Sequence, residues 1–262
     1  MSVNPFMAPE ATEAYQPETV PRPAWGFWMT LLWGAVIAAA WIGVQVVVVI
    51  AFLIVSGLIT QGMEPEQLEH TLQHNGLLLS IGALVTNPVA IFIAALAAWL
   101  RRYPVRQYLG LVPFRGRDLL LGFGCLAVFI PLSDAAIWLS GRPIVPEFMV
   151  EAYHTARWVP LLIAALVAAA PLGEEIVFRG FLYRGLAESW MRPVGAIVFT
   201  SLVWAAIHLQ YDLFYMSIIF LGGLLLGWLR WRTGSTTLTI LLHAVMNLVA
   251  TIEAVVKIEM MP

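Results

Sequence analysis

The sequence predicts an all-α fold, a polytopic helical membrane bundle of about seven transmembrane helices, and three observations carry that expectation. Apolar runs of bilayer length recur along the chain, charges are scarce between them, and the arginines gather on one side of the resulting topology. Of 262 residues, 60% are hydrophobic and only 11% charged, a balance found in membrane proteins rather than soluble domains. A formal net charge of −2 lacks the basic surface that a nucleic-acid partner requires, so none is expected. The lone cysteine, Cys125, permits neither an intramolecular disulfide nor a cysteine-zinc cluster, and reads as a small packing residue in an apolar run.

Taken in order, residues 1–24 are rich in Pro, Glu and Ala with almost no apolar periodicity, and are expected to form a disordered cytoplasmic tail. No charged segment leads there into a short apolar core with a cleavage site, so no cleaved signal peptide is expected. Spans are then expected near Trp25–Ile59, Leu77–Leu100, Leu119–Leu139, Val159–Leu186, Val194–Leu209, Leu213–Leu229 and Leu238–Val256. Indole rings prefer the membrane interface, and Trp25, Trp28, Trp99, Trp158, Trp190, Trp228 and Trp231 fall near these ends. Asn87-Pro88 should kink the second span, and Gly223 with Gly227 should let the sixth pack closely within the bundle. The organisation that follows is N-terminal transmembrane helices over 25–140 and a catalytic core over 158–256.

Arginine placement checks this count independently. With the N-terminus in the cytoplasm, Arg101, Arg102, Arg106, Arg115 and Arg117 share one cytoplasmic loop, Arg184 and Arg192 flank the next, and Arg230 and Arg232 occupy the last. The opposite face receives Arg142, Arg157 and Lys257 beside the acidic Glu64, Glu66 and Glu69. Seven spans therefore reproduce the positive-inside pattern of a multi-pass integral membrane protein.

One stretch breaks the apolar character: Pro171-Leu172-Gly173-Glu174-Glu175-Ile176-Val177-Phe178-Arg179-Gly180. A charge at membrane depth costs roughly 2.5 to 3.5 kcal/mol on insertion scales, so these carboxylates and this arginine should face a polar interior and act there. At helical spacing Glu175 and Arg179 stand at i and i+4 and can neutralise each other; Glu174 points about 100° away and must find partners on other helices. The intramembrane histidines His208 and His243 are the candidates. From the helical rise, Glu174, His208 and His243 lie roughly 18, 20 and 10 Å from the cytoplasmic ends of their spans, close enough to share one layer. A carboxylate and two imidazoles in a dry pocket can polarise water, either as general bases or by holding Zn2+ or another divalent cation. Asn247, one turn after His243, can join it in donating to an oxyanion, and Trp204, one turn before His208, can wall the pocket. Asp134 is placed at the outer end of the third span, and His70, His74 and His154 in solvated outer loops.

The order Glu174-Glu175-x-x-x-Arg179, Trp204-x-x-x-His208, His243-x-x-x-Asn247 on successive spans resembles the CPBP family, the CAAX protease and bacteriocin-processing (ABI) intramembrane proteases, whose best-known members are the type II CAAX prenyl endopeptidases. Phe178-Arg179-Gly180 is similar to the family's usual continuation after the glutamates, and Trp204 stands where Phe is common, keeping an aromatic wall. The resemblance covers about Val159 to Val249. It implies that Glu174 and His208 activate water, that His243 and Asn247 line the oxyanion site, and that Glu175 with Arg179 supports them.

The expected function is thus an intramembrane (metallo)endopeptidase that hydrolyses a membrane-associated substrate, CAAX-like or a leader peptide, by direct water attack. A cation held by Glu174, His208 and His243 and a metal-free general base both stay open. The rival expectation is a non-catalytic immunity or scaffold protein, or a proton-coupled transporter using the same polar cluster. Motifs of zinc site-2, rhomboid and presenilin-type proteases are absent from the sequence.

Overall fold

A computed structural model of the chain describes residues 24–58 and 62–260. Except for Ala24, the tail expected over 1–24 lies outside the described residues. The described chain is helical throughout. Helix α1 spans Phe27–Ser56. After it come the short α2, Pro65–Gln73, and α3, Gly76–Leu100, whose first turn is capped by Asn75 accepting from the Leu78 N–H at 2.9 Å. Next are α4, Val105–Tyr108, α5, Gly116–Leu139, and α6, Glu147–Thr155.

The fourth long helix, Val159–Ala187, is not a uniform α-helix. It runs as α7 (Val159–Ala164), a π segment (Ala165–Ala169), α8 (Ala170–Glu175), a second π segment (Ile176–Leu182) and α9 (Tyr183–Ala187). Both π segments flank the turn that bears the two glutamates, a placement π-bulges favour at functional sites. The chain continues in α10 (Arg192–Ala206), α11 (Leu213–Thr233) and α12 (Thr236–Met260).

Six of these helices are long and apolar enough to cross a membrane, and α10 is a shorter apolar helix. Together they give the bundle of about seven expected from composition. The outward faces of α1, α3 and α5 present Val47, Val55, Phe92, Leu132 and Trp138, as lipid contact requires. Fifteen residues of α10 rise about 22 Å, less than the roughly 30 Å hydrocarbon layer. It stops at Ala206 rather than Leu209, so His208 sits beyond the helix end in the loop to α11 and not on a continuing helical face.

Small residues let the site-bearing helix sit at the centre. Ala90, Ala94, Ala97 and Ala98 of α3 pack in one core with Phe178, Phe181 and Leu182 of the fourth helix and Leu226, Leu238 and Leu242 behind. Pro88 lies inside α3 without ending it, and neighbouring Asn87 donates to the Ala83 carbonyl at 2.9 Å. Gly223 and Gly227 of α11 meet α10: a Cβ on Gly223 would stand 2.9 Å from Ser201 and 3.1 Å from Trp204, and one on Gly227 2.8 Å from Ile197. The glycine pair therefore serves packing inside the bundle, as expected.

Candidate active site

The buried charge at the centre is built from α8 outward. Glu175 and Arg179, one turn apart, are 0% and 1% exposed and pair at 2.7 Å through Glu175 Oε1 and Arg179 Nη1. His243 of α12 adds Nδ1 at 3.1 Å from the same Oε1. Glu175 thus compensates the arginine and orients an imidazole, so Nδ1–H faces the carboxylate and Nε2 is left for the pocket. Arg179 also donates from Nη2 to the Gly223 carbonyl at 3.4 Å and stacks over the Trp204 ring at 4.3 Å. Losing either partner would strand a buried charge, which costs about 3 to 5 kcal/mol.

Glu174 turns the other way, as its position one residue earlier requires. Its Oε2 accepts the Trp204 Nε1–H at 2.5 Å. Trp204 is then the hub: its ring centroid is 5.3 Å from that of His208 and 5.2 Å from that of His243, both edge-on. One indole therefore brings together the glutamate and both histidines. His208, half-buried past the end of α10, is fixed by its Nδ1 at 2.7 Å from the Trp204 carbonyl. Donation from Nδ1 leaves the Nε2 lone pair unspent.

Asn247 is on the same helix as His243, but its Nδ2 donates to the Leu166 carbonyl at 2.8 Å. Leu166 belongs to the first π segment, so the carboxamide ties α12 to the irregular part of the fourth helix. Two further contributors went unread in the sequence. Tyr211 stacks on His208 with centroids 6.4 Å apart, and burial, with Tyr215 and Glu174 nearby, holds its phenol above the ordinary range, so it stays a hydroxyl donor. Asn87 lies against Gly173, immediately before the glutamates, where a Cβ would collide with its carboxamide. Neither signal was visible locally: an Asn beside Pro reads as a kink, and a loop tyrosine carries no motif.

Arg230 is also displaced from expectation. Rather than lying in a solvated loop it is 5% exposed, donating from Nε to the Arg179 carbonyl at 3.0 Å and to Thr236 Oγ1 at 2.9 Å. It locks the start of α12 onto the fourth helix.

Whether these residues could hold a cation can be tested on their donor atoms. Among the described residues, the group of three His, Cys, Asp or Glu side chains whose ligand atoms lie within 4.8 Å of one another is His70, His74 and Glu151. Glu174, His208 and His243 do not form such a group; each of them contacts Trp204 instead.

Residues 156–249 match the family described as type II CAAX prenyl endopeptidase Rce1-like. The matched segment holds every member of the site except Asn87. Over 173 residues, 64% of this chain and 76% of the relative, the chain is 29% identical to an uncharacterised 24.3 kDa protein of Escherichia coli. No solved structure matches it.

Proposed function

We propose that this multi-pass membrane protein, whose residues 156–249 match the Rce1-like family, is a protease that hydrolyses a peptide bond of a membrane-anchored protein or peptide with water activated by Glu174 and His208. The observation that supports this most is the convergence of Glu174, His208 and His243 on Trp204. The Trp204 N–H occupies one oxygen of Glu174 and leaves the other to take a proton from water. His208, held by its Nδ1, is the second group assigned to the water, with Nε2 left to accept its hydrogen bond. As the water oxygen bonds the substrate carbonyl carbon, charge develops on the carbonyl oxygen. His243, held at Nδ1 by Glu175, and Asn247, one turn further along that helix, are the groups assigned to line the site of that oxygen. The intermediate collapses as the C–N bond breaks, and the proton held by Glu174 passes to the leaving amine. No covalent acyl-enzyme is formed.

Glu174, His208 and His243 are the residues that a divalent cation such as Zn2+, which would polarise the water as a Lewis acid, would have to draw together. Their donor atoms are not gathered for it, and no step above runs through it. The orientation that accompanies this reading puts the N-terminus in the cytoplasm, with the arginines of the α3–α5 loop on that side.

The substrate of this reading is a membrane-associated polypeptide, with a CAAX-like terminus or a leader peptide as the two forms to be tested. Mass spectrometry of membrane peptides from cells carrying wild type or Glu174→Gln tests the reading directly. Peptides that end at one common bond and vanish with the variant are expected. Identical peptide sets, with both proteins present in the membrane at equal level, would contradict it; proton flux lost with the same variant would point instead to transport.

A further inference from the structure

Outside the catalytic pocket, one cluster of ligating side chains has no role in the reading above. Helix α2 carries His70, and His74 follows one turn later at its C-cap. Facing them from α6 is Glu151, with His70 Nε2 at 3.6 Å and His74 Nδ1 at 3.9 Å from its Oε2. We propose that His70, His74 and Glu151 form a site for a divalent transition metal, Zn2+ by its donor set, which fastens α2 to α6.

Two imidazoles and a carboxylate are the donors of a three-ligand zinc site with one open position. A tetrahedral ion with bonds of about 2.1 Å spaces neighbouring ligand atoms about 3.4 Å apart. The 3.6 Å separation of His70 and Glu151 is already near that spacing, and all three ligand atoms lie within 4.8 Å of one another. Rotamer changes at side chains that are exposed or half-buried can close the rest. His74 Nδ1 also stands 2.9 Å from the His70 carbonyl. With the proton on Nε2, Nδ1 presents its lone pair to the ion and this carbonyl contact is given up.

The backbone around the cluster is held without any ion. Thr155 Oγ1 bonds the His74 carbonyl at 2.9 Å and accepts the Gly76 N–H at 2.8 Å, joining the end of α6 to the turn between α2 and α3. Helix α2 itself buries no residue. Apolar packing does not hold it in place, so ligand bonds at His70 would supply the tether. The two rings stack at 4.1 Å and 17°, which keeps both imidazoles on the side of α2 that meets Glu151. Phe148 of α6 touches the His74 ring at 5.8 Å and the Tyr211 ring at 5.5 Å, and Tyr211 stacks on His208. Two aromatic rings, Phe148 and Tyr211, therefore stand between His74 and His208.

The test is calorimetric titration of the full chain in detergent with Zn2+, accompanied by thermal unfolding. One Zn2+ per chain is expected, with wild-type Tm raised by a few degrees. In His70→Ala/His74→Ala the affinity should fall by at least 100-fold and the Tm rise should vanish, while His208→Ala should retain both. Glu151→Gln, which preserves side-chain shape, should weaken binding at least tenfold and serves if the double variant folds poorly. No binding to wild type, undiminished binding in the double variant and in Glu151→Gln, or loss of binding in His208→Ala would each overturn the assignment.

Discussion

At the scale of single residues, the account turns on Trp204. An aromatic at this position was expected to wall the pocket; it also donates its N–H to Glu174 at 2.5 Å and lies against both histidines and Arg179. A hydrogen bond to a charged group contributes about 1.5 to 3 kcal/mol. Trp204→Phe preserves an aromatic wall while deleting that donor, so cleavage should fall roughly 10-fold to 100-fold, with fold and membrane level unchanged. Steady-state cleavage of a membrane-tethered reporter checks this; an unchanged rate would remove the indole N–H from the mechanism. Glu174, Glu175 and Arg179 were legible because charge at membrane depth is expensive enough to be conspicuous. The partner of Glu174 was not, since an indole is apolar in every composition count and its N–H matters only when another helix brings a carboxylate to it.

At the scale of elements, periodicity located the helices to within a few residues but assumed a uniform α-helix. The π segments Ala165–Ala169 and Ile176–Leu182 carry no distinct composition, being written in the same Ala, Val, Ile and Phe as the α turns beside them. The early end of α10 was hidden for a related reason: Ile207 and Leu209 continue the apolar run past the last helical turn. What ends it is the following reversal, set by Asp212, whose side chain accepts from the N–H groups of Phe214 at 2.8 Å and Tyr215 at 3.1 Å.

Those backbone bonds, with Arg142 at 3.2 Å, hold the Asp212 carboxyl below its ordinary range. A depressed folded value means a stabilisation complete above the unfolded pKa of about 3.9 and lost as pH falls through the lower folded value. Thermal unfolding from pH 7 down to pH 3 should therefore show a decline below about pH 4 that Asp212→Asn lessens, and no difference in slope between them from pH 5 to 7. An equal acid decline in the variant would show that other carboxylates govern it. The α10–α11 contact makes a second prediction at this scale. Gly223→Ala places a methyl against Ser201 and Trp204, and such overpacking costs typically 1 to 3 kcal/mol. A lowered Tm together with a loss of cleavage like that of Trp204→Phe is expected, and a variant as stable and active as wild type would contradict the tight fit.

For the whole molecule, composition and the uninterrupted apolar runs indicated the all-α membrane bundle, because a run of bilayer length satisfies its own backbone in lipid as a helix, whereas a barrel would alternate polar and apolar residues. The site came from order: one motif on the fourth helix, one at the end of the fifth, one on the last. Composition and order left unread how far Arg230 is buried, since an arginine just inside a helix end is written like any other cytoplasmic one, and its carbonyl partners are backbone atoms. The central claim is that Glu174 takes the proton from an attacking water inside this bundle. Single-turnover cleavage of a membrane-tethered reporter by purified Glu174→Gln in lipid nanodiscs tests it most directly, with Tm confirming the fold. General-base loss predicts a rate down by roughly 10² to 10⁴ at unchanged substrate binding; cleavage within about threefold of wild type would contradict the account.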